Sequence, residues 1–445
     1  MSTIITSPTA RTAPMAFRHS IAPIALAAPT GKTVSETTAP PPARARLTFM
    51  SGIRGLSALY VMLFHIILTG GVNTDGLPWL FKAGIMATSY GHVSVGIFIV
   101  LSGCCLMIPV ARAADGRFAG GILQFFKQRS WRILPPYYAA LIFSVFYALA
   151  SIHLKNGVST EPSAENAHTL TTAFVTHVLM IHDLRADWKA RLNSPMWSTA
   201  VVWQIYFVYA LILLPIWRRF GNRAVLVVAF VLGYLPHALL PMGHNFDWAR
   251  PWYVGLFTMG MVTANAMHPR DGKFTNFTKV PWAVLGVLSL AVVAVCLHFI
   301  PHQDWVYDPA IGFMGICIMA HCWQASQPGS NGSPLLRLLN HRWAVLLGDF
   351  SFSLYLTHRP VQFFIAMIGH KLHLGHAHML LLLWATVPIV LLCAYGFFLV
   401  FEKPFASSKR RNALLSGLKM PERFSPIPSL GSSMILPRME KGASI

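Results

Sequence analysis

Charged residues are scarce in this sequence, and acidic residues are the scarcest among them. Only 11% of the 445 residues are charged, with 15 Asp and Glu against 35 Lys and Arg, whereas 54% are hydrophobic. A typical soluble domain has about 25% charged residues, so the composition excludes that class. Lipid is expected to be the main solvent of the folded chain, which predicts a polytopic membrane protein.

Cysteine is also rare, and its spacing excludes two classes of protein that depend on it. The six cysteines show neither the spacing of a zinc site nor that of a secreted disulfide framework. A cluster of histidines at 370, 373, 376 and 378 has a spacing that can bind a transition metal, but no cysteine or carboxylate joins it. We interpret the cluster as a solvated loop, and no metal is expected.

Long apolar stretches make up most of the remaining sequence. About ten of them are long enough to cross a bilayer, because a spanning helix needs roughly 20 residues. They lie at 52–70, 91–111, 133–153, 197–217, 224–241, 251–267, 281–300, 308–325, 345–368 and 379–401. The prediction is an all-α, polytopic membrane protein of about ten transmembrane helices. A further apolar piece at 169–181 is too short to span and is interpreted as interfacial or re-entrant.

The net charge of +20 is distributed in a way that indicates orientation. With ten spans and a cytoplasmic N-terminus, every loop on the inner side carries Lys or Arg, and most acids of the loops lie on the outer side. This is the positive-inside pattern of membrane proteins. Both termini are therefore predicted to be cytoplasmic, and nucleic acid is not expected as a partner.

Composition divides the chain into three regions. Residues 1–46 are rich in Ala, Pro, Thr and Ser and are typical of a disordered cytosolic tail. Residues 47–405 form the predicted ten-span membrane domain, and 406–445 form a second basic cytosolic tail. Because no further soluble domain is expected after the last span, any reaction must be completed within the membrane domain.

His65 is the residue of the first apolar stretch that most needs an explanation. It follows Arg54 by about 16 Å of helical rise, roughly half a bilayer core. An ionisable side chain at that depth normally faces a protein interior or a wet cavity. Imidazole can take a proton from a hydroxyl or carry an acyl group transiently, which makes His65 the candidate catalytic residue. The alternative is a buried histidine that only bonds a backbone carbonyl, and no acid at its depth suggests an orienting partner.

Two more arginines open the third apolar stretch from the same side as Arg54. Arg129 and Arg132 are three positions apart and therefore share one helical face. Guanidinium groups bind phosphate oxygens in a fork geometry, so three of them at one membrane face predict a docking place for phosphates. The alternative is ordinary charge that snorkels at the membrane boundary.

Polar residues deeper in the membrane have two interpretations each. His358 and Arg359 lie in the outward half of the ninth stretch, where they either line the acceptor side of a cavity or pair with outer-loop acids such as Asp304 and Asp308. Ser102, at mid-depth in the second stretch, is a candidate oxyanion donor or cavity-lining group. Serine in a membrane helix more often bonds its own backbone or a neighbouring helix.

Five short motifs occur in the order found in a known family. They are RGLSAL from Arg54 leading to His65, SVGIFIVLSG at 94–103, RSWR at 129–132 before a Pro-Tyr pair, Trp197 and Ser198 with Gln204 and Tyr206, and DFSFSLYLTH at 349–358 followed by Glu402 and Pro404. Together they resemble acyltransferase family 3, the polytopic membrane acyltransferases that modify sugars of cell-surface glycans. The resemblance runs from about residue 46 to residue 405.

Two positions depart from the pattern of that family. The aspartate of its second motif is Gly96 here, and the glutamate after the Trp-Ser pair is Val202. If that carboxylate orients the histidine or the acceptor hydroxyl in the family, Gln204 is the nearest polar residue that remains. The substrate-side candidates are accordingly Ser102, Trp197, Gln204 and His358.

The resemblance implies a reaction and its participants. It implies an acyl-coenzyme A donor, most simply acetyl-coenzyme A, and a sugar or glycan hydroxyl as acceptor. Arg54, Arg129 and Arg132 then hold the phosphates of the cytosolic donor, and the thioester reaches His65, which acts as general base or as transient acyl carrier. The location expected for such a protein is a bacterial inner or plasma membrane.

The sequence alone is also compatible with a second class of function, transport without a reaction. A polytopic transporter or flippase of a sugar- or lipid-linked substrate would use His65 and His358 to line a permeation path rather than a reaction centre. The loss of the expected carboxylate at Val202 favours this alternative. Substrate flux without consumption of a thioester would distinguish it from an enzyme.

Overall fold

The computed structural model describes residues 47–70, 78–153, 167–189, 191–241, 246–268, 275–301 and 303–406, and every regular element within them is helical. The α-helices are α1 (Thr48–Gly70), α2 (Trp79–Thr88), α3 (Gly91–Arg112), α4 (Gly121–His153), α5 (Ala167–Val178), α6 (Ala186–Lys189), α7 (Trp197–Val208), α8 (Leu214–Leu239), α9 (Tyr253–Met267), α10 (Trp282–Phe299), α11 (Asp304–Ala325), α12 (Pro334–Leu339), α13 (Arg342–Asp349), α14 (Ser351–Lys371), α15 (His376–Ala385) and α16 (Val387–Phe397). The two predicted tails, 1–46 and nearly all of 406–445, lie outside the described residues.

The all-helical membrane fold is confirmed, but the count of ten spans is not. Six helical segments of the described chain are long and apolar enough to cross a bilayer, or seven if the bent pair of α15 and α16 is one span. They are Thr48–Gly70, Trp79–Arg112, Gly121–Leu149, Ser194–Leu239, Trp282–Phe299 and Asp304–Ala325. The side of the membrane on which each helix begins remains a prediction.

Three predicted spans differ from the helices that form. The stretch 345–368 is broken between α13 and α14, because the backbone of Phe350 leaves the helical region at φ −112° and ψ 16°. The stretch 379–401 bends by 45° between α15 and α16. The predicted span 251–267 forms only the 15-residue helix α9. Each interruption covers only one or two residues, such as Phe350 between Asp349 and Ser351, so hydropathy averaged over a whole span does not reveal it.

Glycine at two contacts lets the helices around the site approach closely. A methyl group on Gly103 of α3 would overlap the carbonyl oxygen of Phe257 in α9, and one on Gly260 would overlap that of Val100. Gly52 of α1 meets the backbone of Leu339, at the end of α12, in the same way. Small residues permit such backbone contacts between membrane helices. The close approach fixes α3 against α9 and α1 against α12.

Candidate active site

A cavity of about 290 Å³ lies between α1, α3, α4, α7 and α14. Its polar lining comes from separate parts of the chain: Arg54, Ser102, Cys105, Arg129, Arg132, Ser198, Thr199, Tyr206, Ser351, Tyr355 and Glu402. The three arginines and Ser102 that the sequence singled out therefore meet in one space. Apolar residues such as Phe98 and Val202 complete the wall.

The three arginines form one positively charged lining. The helix α4 begins twelve residues before the predicted span, at Gly121, so Arg129 and Arg132 lie on the helix itself and not in a loop before it. No ion pair within 4.0 Å joins any of these guanidiniums to a carboxylate in the described part of the chain. The Nε atom of Arg129 is buried and has no hydrogen-bond partner among the described residues. Such donors are available to an anionic ligand.

Glu402 is the one acidic residue in the lining of this cavity. A π-helical turn, Phe398–Glu402, ends the last helix and turns this side chain inward. The backbone N–H and the hydroxyl of Ser353 donate to its Oε2 over 3.0 Å and 2.5 Å. These bonds compensate the buried carboxylate without a direct ion pair to arginine. The residue was identifiable from its motif, but its inward position depends on the π-helical turn.

Tyr355 connects the cavity with the histidines. Its hydroxyl donates to the carbonyl of Pro195 over 2.8 Å and lies 2.6 Å from the hydroxyl of Ser198. Its ring lies 6.0 Å from that of His358, one helical turn farther along α14. Tyr355 was not predicted as a site residue, although its position three residues before His358 places both on one helical face.

His65 and His358 form a direct pair. The Nε2 atom of His358 lies 3.2 Å from Nδ1 of His65, and the ring centroids are 4.9 Å apart. Each Nδ1 also meets a carbonyl of its own helix, at Val61 for His65 (2.8 Å) and at Leu354 for His358 (2.9 Å). The ring that contacts His65, which the sequence did not reveal, is therefore a second imidazole.

Arg359 contacts α1 and not the acids proposed as its partners. Its Nη1 donates to the carbonyl of His65 over 3.2 Å and to the hydroxyl of Thr69. Asp304 and Asp308 pair instead with Arg250. The suggested pairing of Arg359 with Asp304 and Asp308 is therefore wrong for these two acids, because both carboxylates pair with Arg250.

Trp197 lies outside the lining of the cavity, in a separate charged cluster. Its ring lies 4.0 Å from Nζ of Lys189 and 5.4 Å from the guanidinium of Arg250. Burial lowers the pKa of Lys189 to about 7, with the charge of Arg250 as the next cause. This substrate-side candidate is therefore not brought together with Ser102 and the arginines.

Gln204 also lies outside the lining of the cavity. Its amide nitrogen donates to both carboxylate oxygens of Asp183, over 2.9 Å and 3.1 Å, and to the carbonyl of Met180. Burial raises the pKa of Asp183 to about 6, while the bond from Gln204 opposes that rise. Gln204 thus stabilises a buried acid and does not replace the carboxylate that Val202 lacks.

Gly96, which stands where the family has an aspartate, is explained by steric contact with a neighbouring helix. A Cβ atom on Gly96 would lie 2.7 Å from Cγ2 of Ile311 in α11, closer than real Cβ contacts. Gly96 is not among the residues that line the cavity. A carboxylate at this position would therefore press against α11.

No group of three or more metal-ligating side chains forms in the part of the chain that the structure describes. The histidines at 370, 373, 376 and 378 therefore do not form such a group. The Nδ1 atom of His376 lies 3.4 Å from the carbonyl oxygen of Gly70. The polar groups of the cavity are three guanidiniums, several hydroxyls, one thiol and one carboxylate, a set suited to a phosphorylated organic ligand.

Comparison with known proteins identifies the family of the chain. A family model for the acyltransferase domain matches residues 47–399, which include both histidines and all three arginines. The chain belongs to this acyltransferase family. It is a membrane acyltransferase, and the expected class of enzyme is confirmed.

Two curated relatives carry related names at low identity. Acyltransferase MdmB of Streptomyces mycarofaciens is 22% identical over 378 residues, which are 78% of this chain and 85% of the relative. O-acetyltransferase OatA of Staphylococcus aureus is 19% identical over 327 residues, which are 71% of this chain. The match spans 50% of the length of OatA. No solved structure matches the chain.

Proposed function

We propose that the protein transfers an acyl group, acetyl in the simplest case, from acyl-coenzyme A to a sugar hydroxyl of a cell-surface or exported glycan. Arg54, Arg129 and Arg132 bind the phosphates of the donor. His65 acts as general base on the acceptor hydroxyl or carries the acyl group transiently. The reaction takes place in a bacterial inner or plasma membrane, with the donor on the cytosolic side.

The observation that carries this proposal is the set of arginines in one cavity without a carboxylate in ion-pair contact among the described residues. Coenzyme A is multiply anionic, and a guanidinium offers two parallel donors to each phosphate group. Glu402, held by Ser353, leaves the lining with a net positive charge. An uncharged or cationic donor would gain little from this lining.

The route from the arginines to His65 supports a donor with a long arm. Arg54 and His65 lie on one helix, α1, about 16 Å apart along its axis. His65 and His358 are not among the residues that line the cavity, but Tyr355, which does line it, has its ring 6.0 Å from that of His358 and 6.2 Å from that of Phe98. A pantetheine arm that extends along this wall presents its thioester beside the histidines.

Two observations support a sugar hydroxyl on the outer side of the membrane as the acceptor. OatA is named an O-acetyltransferase, and an oxygen acceptor suits a base such as imidazole. The positive-inside pattern assigns the arginines to the cytosol, where acyl-coenzyme A is made. The acyl group then leaves toward an acceptor that enters from the other side.

The test is transfer of label from acetyl-coenzyme A to glycan and lipid-linked sugar in native membranes. His65→Ala should lower the rate by about 10² to 10⁴-fold, the usual contribution of a positioned acid or base. Arg129→Ala should chiefly raise the donor KM, by about tenfold or more, because it removes a charged hydrogen bond that substrate and transition state share. The matched controls are His370→Ala, an exposed position on α14, and Arg117→Ala, an exposed position outside the cavity. A normal rate in the His65 variant would refute the assignment.

Isotope exchange distinguishes the two routes through His65. A covalent acyl-histidine forms with release of coenzyme A, so labelled coenzyme A should enter acetyl-coenzyme A without any acceptor. If His65 acts only as a base, no acyl-enzyme intermediate forms, and this exchange should be absent. His65→Ala is the control in both cases, since it should show neither exchange nor transfer.

A further inference from the structure

The hydrogen bonds around His65 and His358 define where the ring protons lie. The carbonyl oxygens of Val61 and Leu354 only accept, so the Nδ1 atoms 2.8 Å and 2.9 Å away must each carry a proton. A neutral imidazole has one N–H, which leaves Nε2 of both rings with a lone pair. The Nε2 atom of His358 can then only accept from Nδ1–H of His65 across the 3.2 Å between them.

This arrangement leaves Nε2 of His65 as the reactive atom. Its partner ring cannot donate to it, and the Nδ1 proton is shared between Val61 and His358. A histidine that acts as base or nucleophile needs a free lone pair on one nitrogen and a partner for the proton on the other. In many enzymes a carboxylate is that partner. The described residues of this chain offer an imidazole.

The turn of α1 that carries His65 is held against α14 by two further bonds. Arg359 donates to the carbonyl of His65, and Gln362 donates to the carbonyl of Met62 over 2.9 Å. His358, Arg359 and Gln362 are all almost completely buried. The two helices therefore keep a fixed separation at the histidines, which a weak bond between neutral rings would not achieve alone.

From this geometry we propose that His358 is a positioning residue that accepts the Nδ1–H of His65 and so keeps its Nε2 free to react. The inference rests on the proposed role of His65 and adds the group that sets its tautomer. On the carrier route, Nε2 of His65 attacks the thioester carbonyl, the C–S bond breaks, and coenzyme A leaves with the electron pair of that bond. The positive charge that develops on the acylated ring is stabilised through Nδ1–H by the lone pair of His358.

On the base route the same bond has the same effect. Nε2 of His65 takes the proton of the acceptor hydroxyl, the hydroxyl oxygen attacks the thioester carbonyl, and the proton passes to the leaving coenzyme A sulfur. His65 is cationic between these transfers, and His358 stabilises that cation. His358 touches neither donor nor acceptor in either case.

Two amide variants of similar polarity test the proposal. A glutamine at 358 carries its oxygen to about the position of the imidazole Nε2, whereas an asparagine reaches only that of Nδ1. His358→Asn should lower kcat by about 100-fold, within the range that positioned acid–base groups contribute. His358→Gln should recover about tenfold of that loss, the effect of one hydrogen bond. The donor KM should stay within about twofold in both, because His358 does not bind the donor.

Thr357→Val is the control variant at the neighbouring position. Among the described residues, the Thr357 hydroxyl donates only to the carbonyl of Ser353 in its own helix. Thermal unfolding of each purified variant separates a loss of kcat from a loss of folding. Equal kcat values for the Gln and Asn variants, or wild-type kcat in His358→Asn, would overturn the positioning role. If the role of His358 is overturned but His65→Ala is inactive in the same assay, the proposed function still stands. If His65→Ala is fully active, both the proposed function and the role of His358 fail.

Discussion

Cys105 provides a reporter for donor binding at the scale of one residue. Its side chain lines the cavity with Arg129 and Ser102, and its sulfur lies 3.8 Å from that of Met50. Acetyl-coenzyme A, which has no free thiol, should slow alkylation of Cys105 by a maleimide, because the bound arm covers this wall. The measurement is the fraction of alkylated peptide by mass spectrometry, in a Cys393→Ser background that removes the exposed cysteine.

The control ligand for Cys105 is acetyl-pantetheine, which shares the arm and lacks the nucleotide phosphates. Protection by acetyl-pantetheine should need much higher concentrations, since the arginines then have nothing to bind. Arg129→Ala should weaken protection by acetyl-coenzyme A and leave that by acetyl-pantetheine unchanged. Equal protection by both ligands in the wild type would contradict the role given to the arginines.

Single residues differ in how far the sequence predicted them. Arg54, Arg129, Arg132 and Ser102 share the cavity as expected from their positions at or within neighbouring apolar stretches. The partner of His65 was not predictable, because His358 is 293 positions away and meets it only through the packing of α1 on α14. Gln204 was a reasonable candidate by distance along the chain, but its side chain turns to Asp183.

At the scale of helices, the contact of α3 with α9 is the most sensitive to substitution. Gly103→Ala should destabilise the protein by about 1–3 kcal/mol, the usual cost of overpacking, because its methyl group meets the carbonyl of Phe257. Gly396→Ala is the matched control, since a Cβ atom there meets nothing within 4 Å. That variant should be neutral or more stable by up to about 1 kcal/mol, as expected for alanine in a helix.

Thermal unfolding in detergent, followed by circular dichroism, measures both glycine variants. We expect a lower midpoint of unfolding for Gly103→Ala and a wild-type or higher midpoint for Gly396→Ala. Because Ser102 and Cys105 are neighbours of Gly103 on α3, the donor KM should rise in the destabilised variant as well. Unchanged stability and KM in Gly103→Ala would show that the two helices do not pack as closely as described.

The helices also show which structural information hydropathy contains. Apolar length predicted that α1, α3, α4, α10 and α11 exist, since each needs only a continuous hydrophobic surface. It did not predict the break at Phe350 or the bend between α15 and α16, because hydropathy averaged over a whole span does not resolve an interruption of one or two residues. The helical start of α4 at Gly121 was missed for the opposite reason, as its first turns are polar enough to resemble a loop.

At the scale of the whole molecule, two groups of arginines differ in whether carboxylates neutralise them: the group at Arg250 is neutralised, and the group in the cavity is not. Arg250 is paired with Asp304 and Asp308, whereas Arg54 and Arg129 have no acid in ion-pair contact among the described residues. Only the second cluster has charge available for an anion. The sequence predicted the asymmetry of charge, but the pairing of Arg250 required the fold.

The central claim is that donor phosphates bind at the arginine cavity from the cytosol and that transfer of the acyl group depends on His65. Sealed membrane vesicles of known orientation test it most directly, because acetyl-coenzyme A does not cross the bilayer. Inverted vesicles, which expose the cytosolic face, should transfer label from added acetyl-coenzyme A, and right-side-out vesicles should not. His65→Ala should abolish the transfer in the inverted vesicles. Transfer in right-side-out vesicles alone, or an undiminished rate in inverted vesicles of His65→Ala, would contradict the account.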